Sequence, residues 1–216
     1  MAELEVSRPI LEANDRLAQA NRQRFKQAGV KVINIISSPG AGKTTLLEQT
    51  LTRLKDRLRV AVVEGDVQTT EDAQRVAAVG VKAVQIETRG ACHLDGGMIA
   101  RVLGAFDLQD LDLLIVENVG NLVCPVEFDL GEDLKVAVLS VTEGDDKPSK
   151  YPVLFREAGV LLVNKIDLLP YIDCDIERIH ATCRQLNPQQ VAFDLSCRTG
   201  QGVDAWADWL EAWVKA

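Results

Sequence analysis

The stretch "SSPGAGKTT", residues 37–45, constrains the fold of this chain more than any other feature. An apolar, strand-like run, "VKVINII", precedes it, and a helical pattern, "LLEQTLTRLKD", follows it. A strand, a glycine-rich turn ending in Gly-Lys-Thr and a helix together form the phosphate-binding loop of nucleoside triphosphatases. Ser37 stands where the usual pattern has Gly, and a small residue fits there if its backbone dihedrals are ordinary.

Each residue type in this loop has a physical role in holding phosphate. Gly40 and Gly42 allow a tight turn whose N–H groups face phosphate oxygens, and the N-terminus of the following helix adds a positive dipole end. Lys43 supplies a catalytic cation to the outer phosphates, and the hydroxyl of Thr44 can bind Mg²⁺. We therefore expect the nucleotide phosphates to be bound by Gly40, Ala41, Gly42, Lys43, Thr44 and Thr45.

The apolar pattern of the rest of the chain predicts an α/β fold. Six further strand-like runs follow the first, and most are continuously apolar, as in strands buried on both faces. Helical patterns separate them, which indicates crossover connections and a mainly parallel central sheet flanked by helices, the three-layer fold of P-loop NTPases. We expect an N-terminal helical arm over residues 1–29 and a single P-loop nucleotide-binding domain over residues 30–216.

Composition narrows the class of protein. The chain has 216 residues and a net charge of −8, with no dense Lys/Arg run, so a nucleic-acid or anionic-membrane surface is not expected. No apolar run is long enough for a membrane span, and the N-terminal residues lack an apolar signal core. Five cysteines in a chain of this kind do not indicate a disulfide framework. We expect a cytoplasmic protein.

The run Asn164-Lys165-Ile166-Asp167 predicts guanine as the base. The carboxylate of Asp167 can accept both the N1–H and the exocyclic amine of guanine, a donor pair that adenine lacks. Lys165 can lay its alkyl stem on the base, and Asn164 can brace the loop. A second loop at Ser196 and Cys197 is placed to offer a backbone N–H to the guanine carbonyl. Taken alone, the Asp of an Asn-Lys-x-Asp string can also serve as a helix cap.

A third segment, "VENVG", ends a buried strand and predicts a switch. Glu117 can hold the hydration shell of Mg²⁺, and Gly120 can offer its N–H to the γ-phosphate. Asp66, after another strand, is a candidate for Mg²⁺ or for orienting the attacking water, although it could instead serve in a turn or as a helix cap. No Gln or Arg is clearly placed to align water, so we expect slow intrinsic hydrolysis that needs dimerisation or a partner.

Cys92, His93 and Cys124 could bind a soft metal ion. Thiolate and imidazole suit Zn²⁺ or Ni²⁺ and not Mg²⁺, although the spacing is not that of a zinc finger. Ligands from one chain leave such a site incomplete, and two facing chains could complete it. Buried thiols beside a surface His would give the same pattern. Because Cys124 shares a loop with Gly120, metal binding could depend on the nucleotide state.

These stretches, with "TRGACHLDGGMI", "GNLVCPVEFDLGE", "SVTEGDDKPSKYP" and "LVNKIDLL", resemble the HypB family of hydrogenase-maturation GTPases over roughly residues 30–215. The resemblance implies GTP hydrolysis coupled to nickel insertion into [NiFe]-hydrogenase precursors, and a GTP-favoured homodimer with a nickel or zinc site at its interface. It places that site on Cys92, His93 and Cys124. It also implies a HypA-type metallochaperone and a hydrogenase large-subunit precursor as partners.

The chain departs from that family's pattern near its N-terminus. Many members carry an N-terminal Cys motif or a His-rich tract, but no Cys or His precedes Cys92 here, so we expect no nickel-storage role.

Three competing hypotheses stay open. A urease-type nickel-delivery GTPase typically has Cys-Pro-His, whereas this chain has Cys124-Pro125-Val126. A GTP-dependent switch without metal cargo would need the nucleotide site alone. A P-loop ATP kinase would prefer adenine, which the carboxylate of Asp167 argues against.

Overall fold

The computed structural model describes residues 8–66, 71–88 and 90–216. Its strands are Lys31–Ser37 (β1), Val60–Asp66 (β2), Lys82–Glu87 (β3), Leu113–Glu117 (β4), Leu134–Ser140 (β5), Val160–Asn164 (β6) and Val191–Asp194 (β7). Its α-helices are Arg8–Ala28 (α1), Lys43–Leu54 (α2), Glu71–Ala78 (α3), Gly96–Val102 (α4), Cys124–Glu127 (α5), Lys147–Lys150 (α6), Pro152–Glu157 (α7), Ile176–Leu186 (α8) and Val203–Lys215 (α9).

The strands form one seven-stranded sheet in the order β3-β2-β4-β1-β5-β6-β7. Every neighbouring pair is parallel, which confirms the expected α/β, three-layer fold. β4 and β6 are buried along their whole length, as their continuous apolar sequences indicate. Parallel strands place all their carboxyl ends at one edge of the sheet, and ligands bind at that edge.

Helices cover both faces of the sheet and bury separate aliphatic cores. One core lies between the sheet and α2 and α9, where Trp206 is buried and its Nε1 donates to Thr50 Oγ1 at 3.1 Å. On the other face, residues of α1 and α4 pack around Phe25 and Ile99, and a neighbouring cluster includes Phe155 of α7. The short helices α5, α6 and α7 were not predicted, because elements of four to six residues show no helical period.

Helix α1 is tied to two other segments of the chain by two buried amide side chains. Asn14 Oδ1 accepts from Gly96 N at 2.8 Å, and Asn21 Nδ2 donates to the carbonyl oxygens of Gly96 and Leu130 at 2.8 and 3.1 Å. Because backbone groups at two loops are satisfied from one helix, α1 fixes the start of α4 against the 129–131 turn. The division of the chain at residue 29 stays a prediction.

Replacing Gly131 with Ala should destabilise the fold strongly. Gly131 has φ +93°, and an added Cβ would lie 2.7 Å from the carbonyl oxygen of Ala18 in α1. Left-handed strain and the backbone clash should lower the free energy of unfolding by about 2–4 kcal/mol in urea titrations. Gly104→Ala is the matched control, since its Cβ would meet nothing within 4 Å. Equal unfolding midpoints for the two variants would contradict this account of α1 packing.

In the described part of the chain, none of the helices has the length and apolarity that crossing a bilayer would require.

Candidate functional site

A cavity of about 600 Å³ opens at the carboxyl ends of β1, β2 and β4, within the size range of small-ligand sites. The phosphate loop forms one wall, the ends of β2 and β4 form another, and Lys165 closes the side toward β6. The residues that line it include Pro39, Gly40, Gly42, Lys43, Thr44, Thr45, Glu64, Gly65, Arg75, Glu117, Asn118, Val119, Gly120 and Lys165. The phosphate-binding and switch segments predicted from sequence therefore meet in one place.

The phosphate loop has the left-handed turns that its glycines predict. Gly40 has φ +76° and Gly42 has φ +96°, and a Cβ on Gly42 would lie 2.7 Å from Asn164 Nδ2. Ser37, at the position of the missing glycine, is buried and donates to Ser38 O at 2.7 Å. Lys43 Nζ donates to Ser37 Oγ at 3.0 Å, so the serine hydroxyl bonds to the lysine that the loop presents.

Asn164 braces the phosphate loop against the loops predicted to bind the base. Its Nδ2 donates to Ala41 O at 2.9 Å, and its Oδ1 accepts from Lys165 N at 2.8 Å and from Cys197 N at 3.3 Å. Lys165 has φ +65° and its Nζ donates to Gly40 O at 2.7 Å. The backbone N–H of Cys197, which we expected to face the base, is thus bonded to Asn164 in this structure.

Asp167 is held by a short hydrogen bond within the base-binding region. Ser196 Oγ donates to Asp167 Oδ1 at 2.6 Å, which fixes the carboxylate in one orientation. Cys197 lies next to it, and burial raises the pKa of its thiol to about 11. A buried thiol with this pKa is neutral at pH 7, so Cys197 acts as a small apolar residue.

Oxygen ligands for a hard cation gather beside the phosphate loop. Thr44 Oγ1 donates to Glu117 Oε1 at 3.1 Å, and Glu117 pairs in register with Glu64 on the neighbouring strand. Both carboxylates are buried and both line the cavity. A hydroxyl and two carboxylates are a donor set that fits Mg²⁺. Glu64 was not predicted from the sequence, and an acidic residue inside a buried strand was the available signal.

The side chain of Asp66 lies outside the described residues, so its assignment to Mg²⁺ or to the attacking water stays a prediction. Its backbone ends β2, two residues beyond Glu64.

Arg75 was not predicted either, since no Arg is clearly placed beside the phosphates in the sequence. It projects from α3 to the cavity, where one guanidinium nitrogen lies 3.3 Å from Thr45 Oγ1 and 2.7 Å from Glu48 Oε2. No local pattern reveals this position, because the contact joins two helices 30 residues apart in sequence. A cation at this wall complements the charge of a polyphosphate.

Gly120 lies directly against the phosphate loop. A Cβ at this position would sit 3.0 Å from the backbone of Pro39, so only glycine allows the two segments to approach so closely. The same segment continues to Cys124, which begins α5.

Cys92, His93 and Cys124 come together as a cluster. One ligand atom from each lies within 4.8 Å of the other two. Cys92 Sγ lies 3.5 Å from His93 Nδ1, and the imidazole stacks on Phe128 with ring centroids 3.8 Å apart. Cys92 is exposed and the other two are half-buried, which leaves the cluster open to a partner or an incoming ion. Two sulfurs and an imidazole form a donor set for Ni²⁺ or Zn²⁺.

The protonation states of Cys92 and His93 affect metal binding in opposite directions. Hydrogen bonding to Cys124, together with burial, raises the pKa of the Cys92 thiol. Burial lowers the pKa of His93, so the imidazole is neutral at pH 7 and keeps a lone pair on one ring nitrogen. A bound cation must therefore displace the proton of the Cys92 thiol, and metal binding releases that proton to solvent.

Three further Cys and His side chains lie outside this cluster. Burial raises the pKa of Cys183 to about 12, and this thiol lies in the core beneath α8. His180 Nε2 lies 2.9 Å from Asp194 Oδ1, so it belongs to an ion pair or hydrogen bond at the sheet edge. Cys174 is half-buried and lies outside the cluster.

A family model and a curated relative each match most of this chain. Residues 31–194 match the family model described as the nucleotide-binding domain of CobW/HypB/UreG proteins. The hydrogenase maturation factor HypB of Escherichia coli K12 is 52% identical over 208 residues, which cover 96% of this chain and 72% of the relative.

Solved structures of similar proteins agree with this. A crystal structure of hydrogenase maturation factor HypB from Archaeoglobus fulgidus has a TM-score of 0.88 at 40% identity and covers 94% of this chain and 99% of its own. That of HypB from Helicobacter pylori in complex with nickel has a TM-score of 0.87 at 37% identity, covering 94% and 95%.

Proposed function

This chain belongs to the CobW/HypB/UreG family, in its HypB branch, and from that premise we propose how its two sites work together. The protein is a GTP hydrolase that couples GTP binding and hydrolysis to nickel delivery during [NiFe]-hydrogenase maturation. The single observation that carries the coupling is the continuity of one segment, residues 117–124. It begins at the cavity with Glu117 and Gly120 and ends at the metal cluster with Cys124.

Residues of the cavity wall promote hydrolysis by placing positive charge where negative charge develops. Lys43 and the N-terminus of α2 would face the outer phosphates, and Arg75, which pairs with Glu48, would add a second cation at the same wall. Thr44, Glu64 and Glu117 would hold Mg²⁺, which would neutralise part of the phosphate charge. Water adds to the γ-phosphorus as the bond to the bridging oxygen breaks, and GDP and phosphate leave. Asp66 is our candidate for orienting that water.

Asp167 is the residue that selects guanine. Its Oδ2 is the carboxylate oxygen that the bond from Ser196 leaves for a ligand, while Oδ1 can accept a second proton through its other lone pair. Lys165 is held over the phosphate loop, so its alkyl stem can cover one face of a base.

Nickel is the cargo, and Zn²⁺ can occupy the same ligands. Two thiolates and one imidazole bind either ion but leave at least one coordination position open. We propose that a second copy of this chain completes the site, in a homodimer that GTP favours. An open, half-exposed cluster also suits rapid release to the next protein.

Partners and compartment follow from this cargo. A HypA-type metallochaperone would supply or accept nickel, and a hydrogenase large-subunit precursor would receive it. The protein acts in the reducing cytoplasm. The five cysteines support this, because all of them are free thiols.

Nickel affinity measured by titration in GDP and in a non-hydrolysable GTP analogue tests this function, with molecular mass followed in parallel. We expect a change of roughly 5- to 150-fold in affinity between the two states, the usual range of coupling between two binding sites. The GTP analogue should also raise the dimer fraction. Nickel affinity that is equal in both nucleotide states would show that GTP does not control the cargo.

A further inference from the structure

The segment Asn118–Asn121 contacts both sites at once. Gly120 lies in its middle and borders the phosphate loop, as described above. An asparagine flanks this glycine on each side of the segment, and each asparagine reaches across to the loop that carries Cys92 and His93.

Asn118 joins the two loops through a single oxygen. Its side chain is fully buried, and Oδ1 accepts from Leu94 N at 3.0 Å and from Val119 N at 2.9 Å. Leu94 follows His93 directly, and Val119 precedes Gly120 directly. A carbonyl oxygen has two lone pairs, so both are used by these two backbone donors.

The orientation of the Asn118 amide is fixed by a buried chain of polar groups. Its Nδ2 donates to Asn34 Oδ1 at 3.2 Å, and Asn34 Nδ2 donates to Glu132 Oε1 at 3.3 Å. Asn34 lies on β1, the strand that leads into the phosphate loop. A flipped amide would place donors against donors at Leu94 and Val119, which burial makes costly.

Asn121 makes the second link, on the other side of His93. Its Nδ2 donates to Cys92 O at 3.3 Å, and its Oδ1 accepts from Val123 N at 2.9 Å. The residue just before His93 and the residue just after it are thus bonded to amides that flank Gly120.

We propose that Asn118 and Asn121 form an amide bracket that makes the Cys92–His93 loop follow Gly120 when the nucleotide changes. Hydrogen bonds weaken steeply as their length or angle departs from the ideal, so a displaced Gly120 must either carry the loop with it or break both links. Cys124 continues from the same segment, so the bracket sets the distance between the two halves of the cluster. Both asparagines are positioning residues, because their bonds to the Cys92–His93 loop end on backbone atoms.

This inference rests on the proposed function, since it explains how nucleotide and nickel are coupled. The measured quantity is the coupling ratio, the nickel affinity in the GTP analogue divided by that in GDP. Asn121→Ser keeps a hydroxyl acceptor for Val123 N but is too short to reach Cys92 O. We expect it to bring the ratio about 3- to 10-fold closer to one, the equivalent of one net hydrogen bond.

Asn118→Ala removes the acceptor for both backbone N–H groups and should bring the ratio toward one, as Asn121→Ser does. Asn187→Ser, which removes amide bonds to Arg156 O and Ala158 O at the end of α8, should leave it unchanged. The charge-transfer absorption of Ni²⁺–thiolate, recorded in both nucleotide states, reports the ligand geometry directly.

Asn121 is half-exposed, so its variant decides the question even if Asn118→Ala does not fold. An unchanged ratio in Asn121→Ser would overturn the bracket, and so would an equal loss of nickel affinity in both nucleotide states, which is the mark of a purely structural role. A parent protein that binds neither GTP nor nickel would refute the proposed function and the bracket with it. A normal parent ratio with an unaffected Asn121→Ser variant would refute the bracket alone.

Discussion

Asp167→Asn should invert the base preference of this protein from guanine toward xanthine. The new amide keeps an oxygen for Ser196 and for the N1–H, but its Nδ2 meets the exocyclic amine of guanine donor to donor. Xanthine has a carbonyl at that position, which the amide can satisfy. With about 1.5–3 kcal/mol for each charged hydrogen bond, the GTP-to-XTP affinity ratio should fall by about 10²- to 10⁴-fold in competition titrations.

Asp175→Asn is the control for this change. Asp175 caps α8 by accepting from Arg178 N at 3.1 Å, and asparagine caps helices equally well. The same chemical substitution at that position should leave both affinities unaltered. If Asp167→Asn retained the preference of the parent for GTP, the base would have to be read by another residue.

Cys92→Ala and Cys124→Ala should each abolish stoichiometric nickel binding at the cluster. Outer-sphere changes at metal sites already cost about 10- to 100-fold in affinity, so removal of a direct sulfur ligand should exceed about 100-fold. Either variant leaves one sulfur and one imidazole within reach of the ion. Isothermal titration with Ni²⁺ and with Zn²⁺, combined with metal analysis after gel filtration, measures the loss.

Cys174→Ala provides the comparison, because this thiol is half-buried and lies outside the cluster. Its metal stoichiometry and affinity should equal those of the parent. Parent-like binding by both Cys92→Ala and Cys124→Ala would remove the cluster as the cargo site and favour a GTP switch without metal.

The fold could be predicted from the sequence because the patterns that indicate its strands and its phosphate loop are local and strong. Strands such as Leu113–Glu117 are continuous apolar runs, and the glycines of the phosphate loop require the positive φ that the structure has. Short helices such as Cys124–Glu127 were not readable, since a single turn has no period and is fixed by tertiary contacts. Local pattern predicts the sheet well and its short connecting helices poorly.

At the candidate site, the sequence predicted several functional residues but not the residues that they contact. The sequence indicated that Asn164 braces a loop, yet its bond to Ala41 O joins groups 123 residues apart. Glu64 and Arg75 were not predicted for the same reason, because each reaches the cavity through the register or packing of another element. The roles of Asn118 and Asn121 also depend on pairing between loops, which only three-dimensional structure reveals.

The strand order has an implication for how such a protein can change over evolutionary time. The predicted base-binding residues follow β6, the phosphate loop follows β1, and the proposed soft-metal ligands follow β3 and β4. At about 4.8 Å per strand, β6 and β4 are separated by about 14 Å of sheet. A base bound after β6 and an ion bound after β3 and β4 would therefore lie apart, with the phosphate loop between them. Substitutions at the metal ligands can therefore change the preferred ion without altering nucleotide recognition, provided that the middle of the sheet stays as it is.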